Sequence, residues 1–281
     1  MRTTVFLGGG RITAALLAGL RLAKYPARLV VYDHHPGKLR ELKRVYGVLT
    51  ERVLKRAVAE ADLLIIAVRP GSISGLLQEI GQLRRPVIAV SLAAGVPLSF
   101  LRRRLGPPVR WARAMPSPVC RSGKGLTALS FARDFPLATQ RQVRSLFARV
   151  GPVLEIPEKQ FDVFTVTYSC SHGYHALANL AAAAEKLGLD RKTALVAAAH
   201  ALADGIAAWR EGDILLGALL HEAATPGGIA ATVMKSMERG GYNKVVARGL
   251  SAGLSLARKN AERAQASAEN RFPSRKRRTP R

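Results

Sequence analysis

The chain has 281 residues, 48% of them hydrophobic, which is enough for two domains with cores of their own. Cys120 and Cys170 are too few for a disulfide framework. No charged and then apolar leader pattern opens the chain and no apolar run reaches membrane-spanning length, so a cytoplasmic protein is expected. The net charge of +25 raises nucleic-acid binding, but the cations scatter over helix faces (Arg21, Lys24, Arg40, Lys43, Arg44, Arg102 to Arg104, Arg141, Arg144). They are dense only from Arg271 to Arg281, and no RNA-binding or helix-turn-helix signature accompanies them, which makes nucleic acid an unexpected partner and a generally basic surface the better reading.

The stretch Thr4-Val5-Phe6-Leu7-Gly8-Gly9-Gly10-Arg11-Ile12-Thr13 runs from short apolar residues into glycines and then into a helical pattern (Ile12, Leu16, Leu17, Leu20). Strand, tight turn and helix in that order open a dinucleotide site. Gly8 permits the turn, Gly10 lets the backbone approach a pyrophosphate, and the free N–H groups at Arg11 and Ile12 face that anion. Thr13 stands where the fingerprint has Gly or Ala and is expected to crowd helix against strand. A second apolar run, Ala27 to Tyr32, ends in Asp33, placed to take the ribose hydroxyls of NAD; His34, His35, Lys38 and Arg40 follow and suit a 2′-phosphate, so NAD is favoured with NADP open.

Helices are predicted over Pro36 to Tyr46 and Val53 to Ala59. The uniform apolar run Asp62 to Val68, ending at Arg69-Pro70, is a strand covered on both faces of a parallel sheet. Leu76 to Leu83 is a helix, Pro86 to Leu92 a strand with the turn Ala93-Ala94-Gly95, Pro97 to Leu105 a helix, and Val109 to Ala114 a strand with the turn Met115-Pro116-Ser117-Pro118. Strands over Gly125 to Ala132 and Gly151 to Ile156 flank a helix over Ala138 to Arg149. Four strand ends thus converge on one crevice. From Gln160 onward only alanine-rich helices are expected: Tyr174 to Leu187, Arg191 to Trp209, Ile214 to Glu222, Gly228 to Arg239 and Tyr242 to Ala266. The apolar surface of Ala178 to Ala184 exceeds what a short helical domain covers, and a partner subunit is expected to bury it. The domains are therefore 1–157 and 158–266, with 267–281 as a basic disordered tail.

Thr225-Pro226-Gly227-Gly228-Ile229-Ala230-Ala231-Thr232 lies between two helices. Thr225 reads as a cap or turn residue, Pro226 as suited to helix initiation, and the glycines leave N–H groups open to a carboxylate at a helix N-terminus.

Taken together these residues resemble the pyrroline-5-carboxylate reductase family, which makes proline by hydride transfer to a cyclic imine. The resemblance runs from Val5 to about Ala261 through Phe6 to Gly10, Ala67-Val68-Arg69-Pro70, Ser91 to Val96, Arg113 to Ser117, Gly125 to Leu129, Phe161-Asp162, Lys186 to Leu189 and Thr225 to Gly228. It implies an α/β chain: an N-terminal Rossmann dinucleotide-binding domain followed by an all-α C-terminal dimerisation domain. It also implies NADP or NAD lying over Gly8 to Ile12, Val68 to Pro70, Ala93-Ala94 and Met115-Pro116, and a homodimer or higher homo-oligomer. The substrate carboxylate would sit on the N–H groups around Thr225, Gly227, Gly228, Ile229 and Ala230. The departures fall at the substrate. The family's Ser-Gly-Ser-Gly-Pro-Ala-Tyr segment is here Tyr168-Ser169-Cys170-Ser171-His172-Gly173-Tyr174. Ala230 stands where a family Thr meets the imine, Ile229 replaces a small residue, Leu220-His221 replaces an Arg-Asp pair, and Ser117 replaces an Asn.

His172, Tyr174 and His221 are candidate new donors, with His175 beside them. The other readings are a different imine or carbonyl substrate on the same fold, or a nucleotide-binding protein with little catalysis. His200 is expected in a packed core, Cys170 as a buried small residue, and no metal site is expected from histidines without nearby carboxylates.

Overall fold

A computed structural model describes residues 3–269, the side chains only to residue 266. Strands β1 (Thr3–Leu7), β2 (Arg28–Tyr32), β3 (Leu49–Glu51), β4 (Leu63–Ile66), β5 (Val87–Ser91), β6 (Val109–Pro116), β7 (Thr127–Phe131) and β8 (Val153–Glu155) form one sheet in the order β3-β2-β1-β4-β5-β6-β7-β8. The first six run parallel. β7 is antiparallel to β6, and β8 is parallel to β7. Order reverses between β1 and β4, which places a ligand crevice at their carboxyl ends.

Helices α1 (Arg11–Leu22), α2 (Pro36–Tyr46), α3 (Leu54–Glu60), α4 (Pro70–Ile80), α5 (Leu98–Arg104) and α6 (Leu137–Ala148) return the chain between strands. β1 and β4 are buried along their whole length because helices cover both faces, and two apolar cores result. One holds Leu64, Ile66, Leu77 and Trp111; the other holds Phe6, Leu16, Ile65 and Phe147.

The helical part comprises α7 (Glu158–Thr167), α8 (Cys170–Lys186), α9 (Arg191–Glu211), α10 (Leu216–Ala223), α11 (Ile229–Arg239) and α12 (Tyr242–Glu269). α8 and α9 meet through Ala181, Ala194 and Ala198, small enough for close packing. The chain divides into two compact units, one of residues up to 168 together with those from 253 onward, the other of residues 169–252.

The first unit therefore extends past the boundary expected at 157. The cause is Arg113 of β6, 1% exposed, which pairs with Glu158 at 3.0 Å and Asp162 at 2.5 Å and lies over the Phe161 ring at 4.2 Å, tying α7 to the sheet. Glu158 also accepts the N–H of Leu98 at 3.0 Å, capping α5. Four further expectations change. β3 was not foreseen; Met115-Pro116 ends a strand rather than forming a turn, because both pair with β7; α7 precedes the expected helices; and α12 continues through Glu269, into the stretch expected as tail. The rest of that tail, 270–281, lies outside the described residues.

Candidate active site

Gly8 closes β1 with φ +109°, and a Cβ there would stand 2.7 Å from the carbonyl oxygen of Ala67, so β4 comes this close only to glycine. A Cβ on Gly10 would meet nothing within 4 Å, which leaves backbone-lined space in front of α1. The first intrahelical bond is Ala14 N–H to Gly10 at 3.0 Å, so the amides of Arg11, Ile12 and Thr13 point out of the helix end. An anion placed there meets these amides and the positive end of the helix dipole, which is the environment a pyrophosphate needs. Thr13 does not crowd the turn as expected. It is fully buried, and its hydroxyl donates to the Gly8 carbonyl at 2.5 Å, locking the loop shape.

Asp33 is 5% exposed and its carboxylate turns inward: the amide of Gly9 donates to one oxygen at 2.8 Å and that of His35 to the other at 2.8 Å. Burial opposes its ionisation, yet the amides of His35 and Gly9, then Lys38 and His34, outweigh burial and hold the carboxyl below its usual range. The aspartate ties β2 to the glycine turn. Around it His34 and His35 are exposed, with ring centroids 4.0 Å apart, and Lys38 Nζ lies 3.6 Å from the carboxylate. Ligand atoms of Asp33, His34 and His35 cluster within 4.8 Å, a grouping not foreseen. Both Asp33 oxygens in this group already accept backbone amides.

Val68, Arg69 and Pro70 follow β4, with Arg69 at the N-cap of α4. Ala93 and Ala94 follow β5, and the Ala93 amide donates to Ser91 Oγ at 3.3 Å. Met115 and Pro116 end β6. Every residue expected at the nucleotide thus lies at the same sheet edge. Two supports went unforeseen. Ser117 Oγ accepts the Val119 amide at 3.1 Å, capping the 3-10 turn Pro118–Ser122. Gly95, at φ +76°, would place a Cβ 2.3 Å from the carbonyl oxygen of Ala257, so the β5 loop rests directly on α12.

In the second unit Thr225 accepts the Gly228 amide at 2.9 Å across Pro226 and Gly227, whose φ is +79°. Proline then positive-φ glycine is the arrangement of a type II turn. Pro226 belongs to this turn and not to the helix start, which is Ile229 behind the N-cap Gly228. Thr232 N–H donates to Gly228 at 3.1 Å, and the Thr232 hydroxyl donates to the same carbonyl at 3.0 Å. The amides of Ile229, Ala230 and Ala231 are left at the helix end with no cation beside them in sequence, and Thr232 is committed to backbone.

His172 and Tyr174 lie in the first turns of α8 and His221 in the last turn of α10, all exposed on the single chain. Ser169 caps α8 and its hydroxyl lies 2.6 Å from that of Ser171. Cys170 begins α8 only half-buried, since it sits at this hydroxyl-rich helix start and not inside the packed face. His200 is likewise not a core residue. It is exposed and lies 3.1 Å from Asp204, one helical turn on.

Comparison with known proteins places this architecture. Residues 3–95 match the family described as NADP oxidoreductase, coenzyme F420-dependent, and residues 158–260 match pyrroline-5-carboxylate reductase dimerisation. The pyrroline-5-carboxylate reductase of Thermus thermophilus is 35% identical over 243 residues, covering 83% of this chain and 88% of the relative. That of Mycobacterium leprae is 30% identical over 274 residues, covering 88% and 92%. The chain belongs to the pyrroline-5-carboxylate reductase family. A Plasmodium falciparum pyrroline carboxylate reductase structure with NADP bound shares the fold, with TM-score 0.81 over 92% of this chain and 98% of the other at 20% identity. As a member of the pyrroline-5-carboxylate reductase family the chain is an NAD(P)-dependent oxidoreductase acting on a C=N bond. The open cradle at Gly10 and the three outward amides of α1 fit that cofactor.

Proposed function

We propose that the protein reduces a small cyclic imine carrying a carboxylate, pyrroline-5-carboxylate to proline or a close analogue, as a homodimer or higher homo-oligomer in the cytoplasm. The observation that carries this reading is the turn Thr225 to Gly228, which presents three helix-end amides with no side chain capping them. Such a nest holds a carboxylate without a counter-cation. NAD(P)H, when bound, supplies the hydride that the imine carbon accepts. The chain's own part is to grip the pyrophosphate at Gly8 to Ile12, to shape the nicotinamide end with Ala93, Ala94, Met115 and Pro116, and to orient the substrate by its carboxylate. Ala230 offers the imine nitrogen no hydroxyl. A pyrroline is basic enough to arrive protonated, so its nitrogen needs no proton from that position, and the missing donor weakens orientation only.

Reduced-nicotinamide consumption with pyrroline-5-carboxylate tests this. Wild type turns over, and Ala230→Thr raises kcat by on the order of 10²-fold, the size of one donor to a reacting centre. Tight cofactor binding without turnover in either protein would move the reading to another imine or carbonyl substrate, or to nucleotide binding with little catalysis.

A further inference from the structure

The loop after β2 carries a set of donors that hydride transfer does not use. Asp33, His34 and His35 follow the strand in that order, with a bend at His34, and His35 is the N-cap of α2, whose first residue is Pro36. The fixed φ of a proline at the first helical position holds the end of this loop in one shape. Side chains of successive residues in a strand point apart, but the bend brings these together. The two imidazole rings lie 4.0 Å apart, and His34 Nδ1 is 3.7 Å from Asp33 Oδ1. One ligand atom from each of the three side chains lies within 4.8 Å of the other two, and among the described residues no other three ligating side chains converge in this way.

The neighbours divide between the two carboxylate oxygens. Oδ2 accepts the Gly9 amide at 2.8 Å and lies 3.6 Å from Lys38 Nζ; Oδ1 accepts the His35 amide at 2.8 Å and meets His34. A carboxylate oxygen has two lone pairs, so Oδ1 keeps one for a further partner, and it is the oxygen that does not meet the ammonium. Asp33 is buried while both imidazoles are exposed, so the rings can turn onto an ion without unpacking the core. Lys38 is itself half exposed and can swing into solvent when a cation arrives.

We propose that Asp33, His34 and His35 bind a divalent transition-metal ion of the Zn²⁺ class, and that the bound ion excludes the adenosine end of the cofactor. Imidazole nitrogens with one carboxylate suit Zn²⁺, whereas Mg²⁺ and Ca²⁺ prefer oxygen throughout. Zinc bonds of about 2.0–2.2 Å set the ligand atoms of a tetrahedral site roughly 3.3 Å apart, so the 3.7 Å spacing of His34 and Asp33 closes with a small ring rotation. Water takes the fourth position. The Gly9 amide on the same carboxylate belongs to the glycine turn, which puts the ion at the entrance of the cofactor loop. A ribose hydroxyl or a 2′-phosphate at this group needs the same oxygen and the same rings, so ion and cofactor compete. The ion is an inhibitor and has no part in hydride transfer, and its binding does not depend on which imine the protein reduces.

The test uses the tag-free full chain, stripped of cofactor and metal. Zn²⁺ is titrated against a chromophoric chelator, Co²⁺ is added separately for its visible spectrum, and NADPH binding is followed by fluorescence at several Zn²⁺ concentrations. A tight Zn²⁺ site is expected, with the intense visible bands of four-coordinate Co²⁺. The apparent Kd for NADPH should rise about tenfold when Zn²⁺ stands at ten times its own Kd. His34→Gln/His35→Gln should weaken Zn²⁺ binding by more than about 100-fold, beyond the roughly 10–100-fold that loss of an outer hydrogen-bond partner costs. Cys170→Ala/His172→Gln/His221→Gln, which removes the ligand types of the helical half, should retain it. Absence of a tight site in wild type overturns the proposal, as does binding that survives in His34→Gln/His35→Gln or disappears in the helical-half variant. Zn²⁺ binding that leaves NADPH affinity unchanged overturns it equally.

Discussion

At the scale of single residues, two side chains change meaning once their hydrogen bonds are known. Thr13 looks like a flaw in a glycine fingerprint and is a donor to Gly8. Asp33, expected at the ribose of NAD, is in addition a buried tie between β2 and the glycine turn. Asp33 stays ionised, but Lys38 and the two exposed histidines beside it are placed to meet a 2′-phosphate, and we predict a preference for NADPH. Lys38→Ala should lower kcat/KM for NADPH roughly tenfold or more, the size of a hydrogen bond to a charged group, and leave NADH nearly unchanged; equal losses for both would place the 2′-phosphate elsewhere. Asp33 also has a pH signature. Its folded pKa lies below the unfolded value, so its stabilisation is complete above about pH 3.9 and disappears as pH falls through the lower folded value. Asp33→Asn should lower Tm near neutral pH and flatten its fall below pH ~4. None of this was legible in the sequence, because DHH reads the same whether the carboxylate faces the ribose or the backbone.

At the scale of elements, legibility followed burial. β4 announces itself as an uninterrupted apolar run because both faces are covered. β3 is three residues at the sheet margin, paired only to β2, and carries no such pattern. α7 hides behind Val163, Thr165, Val166 and Thr167, residues that prefer strands, and tertiary pairing overrides that preference. The pairing is Arg113, buried in β6 and, among the described residues, ion-paired with Glu158 and Asp162. Removing both carboxylates strands a buried guanidinium. Glu158→Gln/Asp162→Asn should therefore cost about 3–5 kcal/mol in urea unfolding, while Arg144→Gln, which breaks the exposed pair with Glu155, should cost less than about 1 kcal/mol. Comparable losses would show that the ion pairs do not hold α7. The turns of the candidate site were easier to read than α7, since Thr225-Pro226-Gly227-Gly228 declares itself by residue type.

At the scale of the whole molecule, the first unit satisfies itself and the second does not. α9 runs 21 residues, yet it buries only Ala194 and Ala198 in its first half; its second half leaves Ile206 and Trp209 exposed, and Leu215 beyond it is 81% exposed. Large exposed apolar side chains of this kind mark interaction surfaces; the match to a pyrroline-5-carboxylate reductase dimerisation family supports a homo-oligomer, and we propose that a second copy covers this face. Each fully buried side chain of this size contributes about 1.5–3 kcal/mol, so charging two of them removes most of what a modest interface supplies. Ile206→Glu/Trp209→Glu should shift the particle toward single chains in light scattering at micromolar concentration. The first unit should keep cofactor affinity, because Gly8 to Ile12, Asp33 and Lys38 all belong to it. A variant that stayed assembled would move the interface to the α10–α11 face, where Leu216, Leu220 and Ile229, the last 86% exposed, are the next apolar surface. In that arrangement the carboxylate nest at Ile229 to Ala231 would be built at the subunit boundary, and assembly and substrate affinity would be lost together in Ile229→Glu.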